Sequence, residues 1–158
     1  MTRSIVCAIL MAVVGTTASI PASAQDDKTF GLGFIVGEPT GIDAKLFLNG
    51  DKKALEFAAA WSLSGDNDFR LQGDYIFHRY GLFDLKNQDE MPLYFGIGGR
   101  MILRENVDDV FGIRFPIGLA YMFANYPFDI FAAIVPILDV APDTDFDLEG
   151  AIGARFWF

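Results

Sequence analysis

Apolar and non-apolar residues alternate with a period of two along most of the chain, in eight runs: roughly 29 to 37, 40 to 48, 54 to 63, 69 to 78, 93 to 104, 110 to 123, 128 to 138 and 146 to 158. Period-two alternation is the mark of a strand whose two faces meet different surroundings. The runs are separated by turn chemistry, including Gly37-Glu38-Pro39, Asn49-Gly50-Asp51, Gly65-Asp66-Asn67, Asn125-Tyr126-Pro127 and Pro142-Asp143. Most runs reach the roughly 9 to 11 residues that a tilted strand needs to cross a bilayer. The pattern predicts an all-β chain: an eight-stranded antiparallel up-and-down transmembrane β-barrel.

What each face carries decides between a soluble and a lipid-solvated barrel. One face holds Leu32, Phe34, Val36, Phe57, Ile97, Ile117, Ile130, Phe156 and their like, without a charge. The other holds every strand charge: Asp43, Lys45, Glu56, Arg70, Asp74, Arg100, Arg104, Arg114, Asp129, Asp147, Glu149 and Arg155. A soluble barrel places apolar residues inside and polar ones outside. Here a closed, charge-filled lumen is expected, because the interior of an eight-stranded barrel is only wide enough for side chains to fill, and carboxylates and guanidiniums confined there must pair. Inward Gly96, Gly98, Gly112, Gly118 and Gly153 are expected to make room for the arginines.

Composition agrees with a membrane protein that crosses by strands. Hydrophobic residues make up 52% and aromatics 15% of the chain, yet beyond the first residues no apolar run is long enough for a spanning helix. Near the start, Arg3 precedes an apolar stretch from Ile5 to Val14 and then Ala22-Ser23-Ala24, a small-x-small cleavage pattern. Residues 1–24 are expected to be a signal peptide and 25–158 the barrel domain. Cys7 would leave with the peptide, so no disulfide or thiolate chemistry is expected. The net charge of −9 opposes nucleic-acid binding, which needs a basic face.

Several residues invite a chemical reading and favour a plainer one. His78, the sole histidine, ends the fourth run and is expected to be an interfacial polar residue at the rim rather than a general base. Asp143, Asp145 and Asp147 imitate the opening of a calcium loop, but Leu148 and Ala154 stand where its glycine and final glutamate belong, so no metal is expected. No nucleotide loop, zinc spacing or nucleophile elbow is present, and no cofactor or catalytic residue is assigned. Pro116 and Pro136 each remove a ladder donor and should mark a bulge or a strand end. Phe30, Trp61, Tyr75, Tyr121, Tyr126 and Trp157 lie near run ends, either as interfacial girdles or as plain apolar surface.

The last run, Gly153-Ala154-Arg155-Phe156-Trp157-Phe158, resembles the assembly signal of outer-membrane barrels, with Phe158 final, Phe156 two before it and Gly153 three further back. Ala151 stands where that signal has a polar residue. With the strands placed, the chain resembles the small eight-stranded outer-membrane proteins, among them the transmembrane domain of outer-membrane protein A. Gly31-x-Gly33, Gly37-x-Pro39-Thr40-Gly41, Lys45, Gly96-x-Gly98 and Arg114-x-Pro116-x-Gly118 are also similar to small barrels of spirochaetes and proteobacteria.

The resemblance implies the outer membrane of a diderm bacterium, contact with its lipid, and handling by the barrel-assembly machinery. It leaves any extracellular protein ligand open. A departure from the group is the connection 79–92, the longest, which would face the periplasm where short turns are usual. Three functions compete: a non-enzymatic integral barrel with a structural or surface-interaction role, a lipid A deacylase or acyltransferase, and a narrow passive channel. The first needs no special site and is the expectation carried forward.

Overall fold

A computed structural model describes residues 29–48, 50–61, 68–83, 85, 89–104 and 107–158. The expected signal peptide and its cleavage site lie outside the described residues. The strands are β1 (Phe30–Gly37), β2 (Gly41–Leu48), β3 (Lys53–Trp61), β4 (Phe69–Arg79), β5 (Leu93–Leu103), β6 (Val110–Arg114), β7 (Ile117–Met122), β8 (Phe128–Ala141) and β9 (Asp145–Trp157). All pairings are antiparallel between neighbours in the ring, and β1 closes it by pairing with β9 from Gly31↔Trp157 to Gly37↔Ala151. The result is a closed all-β barrel. One rim carries Phe30, Trp157 and the β2–β3 turn, and is called here the terminal end; the opposite rim carries the β1–β2 and β8–β9 turns.

β6 and β7 occupy one position in the ring, since both lie between β5 and β8. The predicted sixth run is thus a single strand cut at Phe115–Pro116, as a proline should cut it. Pro136 departs from expectation. β8 passes through it in unbroken register with β9, at Pro136↔Leu148. In an antiparallel ladder a residue's N–H and C=O point to the same neighbour. The Pro136 carbonyl accepts from Phe115 N–H at 2.9 Å, so its missing donor faces the gap already opened by Pro116. The Pro116 carbonyl accepts from Gly96 N–H of β5 at 2.9 Å, so its own missing donor faces β5; both prolines border the same break in the strand, and the irregular register falls elsewhere, between Phe111 and Gly112.

Alternation of exposure along the strands follows the sequence pattern. Phe34, Ile134, Phe146 and Ile152 stand outward at 60% exposure or more, while Ile35, Ile76, Ile102 and Ile137 face inward and are buried. Inward glycines make space, though in part for rings and not only for arginines. A Cβ on Gly118 would strike the Tyr94 ring and the Ala132 carbonyl, and one on Gly153 would strike the Phe131 ring. A Cβ on Gly112 would meet the Asp139 carboxylate and, at 3.3 Å, Arg100.

The 79–92 connection is in part a continuation of the sheet. Glu90 exchanges backbone hydrogen bonds with Met122 at 3.1 and 2.8 Å, and Ala120 N–H donates to the Pro92 carbonyl at 3.1 Å. Asp89 accepts from the Tyr121 hydroxyl at 2.6 Å and from Ala124 N–H at 2.9 Å. Across the same rim the Tyr80 hydroxyl donates to the Asp51 carbonyl at 3.1 Å.

The barrel is uneven in height. β8 and β9 have 14 and 13 residues against 8 in β1, and past Gly150, whose carbonyl accepts from Glu38 N–H at 3.0 Å, β9 overhangs β1. There Phe146 N–H donates to Asp145 Oδ1 at 2.9 Å and Leu148 N–H to Asp147 Oδ1 at 2.8 Å.

Two measurements check this packing. Gly153→Val should lower folding stability by about 1–3 kcal/mol, the usual cost of overpacking, read as a shifted urea midpoint. The Tyr121 and Ala124 donors hold the Asp89 carboxyl below the ordinary carboxylate range. A depressed folded-state value means that the link is intact above the unfolded-state value and is lost as pH falls through the folded one. The Ala124 amide resonance should therefore stay fixed down through the normal aspartate range and move only at lower pH.

Candidate functional site

The candidate site is the lumen, where twelve charges were expected from parity alone. The structure gathers eleven of them into two clusters, stacked along the barrel axis. In the terminal half, Arg155 of β9 reaches three strands: Nη1 donates to Asp43 Oδ2 of β2 at 3.2 Å and to Glu56 Oε2 of β3 at 2.9 Å, and Nε donates to Asp129 Oδ1 of β8 at 3.1 Å. Lys45 Nζ lies 2.9 Å from the same Glu56 oxygen. Arg155 is 1% exposed, and its guanidinium lies 4.0 Å above the Phe131 ring.

The other half turns on Glu149. Its carboxylate receives Arg70 Nη1 at 2.7 Å, Arg100 Nη1 at 2.6 Å and Arg114 Nη1 at 3.4 Å. Arg100 also grips Asp139 with two donors, at 3.0 and 2.6 Å, and Asp147 at 2.9 Å. Arg114 donates to Asp74 at 3.2 Å and to the Gln72 side-chain oxygen. This half meets solvent at the opposite rim, where the Asp147 and Arg70 side chains are 44% and 31% exposed.

At the terminal end an aromatic layer closes the bore. Phe47 stacks on Trp157 at 5.0 Å between ring centroids and tilts against His78 at 5.0 Å. Tyr94 lies 4.7 Å from Lys45 Nζ and 6.0 Å from the His78 ring. Two expectations are corrected here. His78, 8% exposed, is inside the wall and not an interfacial group, because it shares the parity of Asp74 and Ile76. Trp157, 3% exposed, is likewise inside and not in a girdle, because it shares the parity of Arg155.

Arg104 is the charge that the lumen does not take. β5 ends at Leu103, and Arg104 sits at the rim, its Nε 3.6 Å from the Asp68 carboxylate and its backbone N–H donating to Asp109 Oδ1 at 3.2 Å. Asp139, absent from the predicted charge list, belongs to the lumen; the seventh run was expected to stop at residue 138, but its alternation continues to Ala141. Gln72, between Arg70 and Asp74 in the same alternation, was missed because only charges were counted. Of the terminal aromatic run, Gly153 faces Phe131, whereas Phe156 and Phe158 are exposed on the outer surface.

Chemically, the arrangement is a set of ion pairs in which Arg100, Arg114 and Arg155 are each shared among carboxylates, while Lys45 pairs with Glu56 and Arg70 with Glu149. Among the described residues, no group of three or more His, Cys, Asp or Glu is placed to hold a metal ion. Asp145 and Asp147, part of the calcium-like motif, instead accept the backbone N–H groups of their own strand.

No family profile and no curated protein matches the sequence. Among solved structures, the N-terminal β-barrel domain of Pseudomonas aeruginosa OprF is similar, with a TM-score of 0.59 over 85% of this chain and 100% of that one, at 14% identity. That likeness defines the class as a closed antiparallel β-barrel; at this identity it carries no residue-by-residue correspondence.

Arg155→Met should be among the most damaging lumen changes. It would strand Asp43 and Asp129 beside Glu56, and removing one partner of a buried ionic group costs about 3–5 kcal/mol. The same change combined with Asp43→Asn and Asp129→Asn should recover much of that loss, as measured by urea unfolding of the refolded barrel.

Proposed function

We propose that this chain is a non-enzymatic integral outer-membrane barrel protein of a diderm bacterium, with a structural or surface-interaction role. The observation that carries this reading is the inverted polarity. Phe34, Phe146 and Ile152 are 71%, 67% and 63% exposed on the outer wall, whereas Asp43, Asp129 and Arg155 are 1% exposed or less within. Water would penalise an apolar belt of this extent. Hydrocarbon would favour it, and a barrel leaves no backbone group unpaired at its seam. Under this reading residues 1–24 direct export, and Gly153, Phe156 and Phe158 present the closing strand to the barrel-assembly machinery.

The lumen supports a closed rather than a conducting barrel. Ion pairs occupy both halves and side chains of the aromatic layer lie across the terminal end, as expected for a ring of this size. A lipid-modifying activity would need a nucleophile and base where an acyl chain arrives. His78 instead lies on the inner side of the wall, between Phe47, Tyr80 and Tyr94.

The test is refolding from urea into detergent. The folded protein should show strand-type circular dichroism and migrate differently unheated and boiled; full solubility as a monomer without detergent, with one mobility, would sink the proposal. In planar bilayers the refolded protein should pass little or no steady current. Sustained ohmic conductance would favour the channel.

A further inference from the structure

The two halves of the lumen differ in how completely their polar groups are satisfied. Around Glu149, the buried side-chain nitrogens and oxygens of Asp74, Arg100, Arg114 and Glu149 have partners among the described residues. The terminal half is different. Asp43 Oδ1, both ring nitrogens of His78, Arg155 Nη2 and Trp157 Nε1 are buried with no hydrogen-bond partner among the described residues. Lys45 Nζ carries three hydrogens and, among the described residues, has one ion pair, with the Glu56 carboxylate at 2.9 Å. These residues are 0%, 8%, 1%, 3% and 1% exposed, in the order Asp43, His78, Arg155, Trp157, Lys45.

Nor are they scattered. Phe47 joins three of them, 5.0 Å from both the His78 and Trp157 rings and 6.0 Å from Lys45 Nζ, and Asp43 is tied to Arg155 at 3.2 Å. The Arg155 guanidinium lies 5.8 Å from the Trp157 ring. Buried polar groups in native proteins are satisfied, and several orphans from β2, β4 and β9 converging on one compartment point to a shared ligand.

We propose that the terminal half of the lumen holds a bound cluster of water molecules shared by Asp43, Lys45, His78, Arg155 and Trp157. The chemistry selects water over an ion. The ligand must donate to Asp43 Oδ1 and accept from the Trp157 indole N–H and the free Arg155 nitrogen, so it needs both capacities. Asp43, Glu56 and Asp129 outnumber Lys45 and Arg155, which disfavours an anion; a metal cation would sit against an ammonium and a guanidinium. Water is neutral, donates and accepts, and bridges two to four buried polar groups as a matter of course. This inference depends on the barrel interior and not on the solvent outside it.

The probe is the Trp157 indole Nε1–H resonance of the barrel refolded in micelles, distinguished from that of Trp61 by the Trp61→Phe variant. A water-selective Overhauser experiment should give a direct cross-peak with the sign of a long-lived bound water at Trp157. Its absence would overturn the proposal. Replacing sulfate by bromide should leave the resonance unmoved, whereas a saturable shift would identify an anion as the occupant and overturn it equally. Trp157→Phe keeps the ring against Phe47 and deletes one donor. If that donor is bonded, the urea midpoint falls; an unchanged or raised midpoint would show that it had no bound partner, contrary to the proposal.

Discussion

An ionised group enclosed by a narrow barrel wall has nowhere to go but to another ionised group, and this constraint organises the molecule. Isolated in a medium of low dielectric, each charge would cost several kcal/mol even after relaxation, of order 20 kcal/mol by the idealised estimate. Arg155 and Glu149 answer it as hubs. Each is held by partners on three other strands, so the ion pairs tie together parts of the ring that no ladder hydrogen bond connects directly. Truncating a hub leaves several charges exposed to the same penalty at once, which makes the lumen a cooperative unit.

Parity explains why so much was legible. A strand's side chains alternate strictly, so one correctly phased charge fixes the face of its whole strand. Asp43 and Lys45 place β2, and Asp147, Glu149 and Arg155 place β9; the outer apolar face then follows without further information. The same logic would have placed His78, Trp157 and Asp139 inside, had it been carried to the strand ends. Those residues were instead read by type: a histidine and a tryptophan near a run's end suggested an interface, and a turn signal at Pro142 hid the last residues of β8. Partner choice was not legible at all. It depends on register and shear between strands far apart in sequence, such as Arg155 with Glu56, and alternation within a strand says nothing about it.

The prolines illustrate how a local rule can be satisfied by a distant residue. Pro116 and Pro136 each lack a donor, and taken separately each predicts its own defect. Pro136 lies opposite Phe115 and turns its missing donor to the break between β6 and β7, while the Pro116 carbonyl, and with it the missing Pro116 donor, faces β5; both prolines thus sit at one break, and β8 stays continuous while its neighbour divides into β6 and β7. The 79–92 connection shows the complementary case, in which a segment rich in turn-forming and polar residues nevertheless extends a sheet, because Met122 and Ala120 offer it free backbone groups.

The overhang of β9 above β1 has its own consequence. A ribbon with free amides invites another chain to lie alongside and continue the sheet. On this stretch the amides of Phe146 and Leu148 are already occupied by the preceding aspartates. The side chains that crown the taller wall therefore act as stoppers: along this stretch a neighbouring copy finds no free amide of Phe146 or Leu148 to template on.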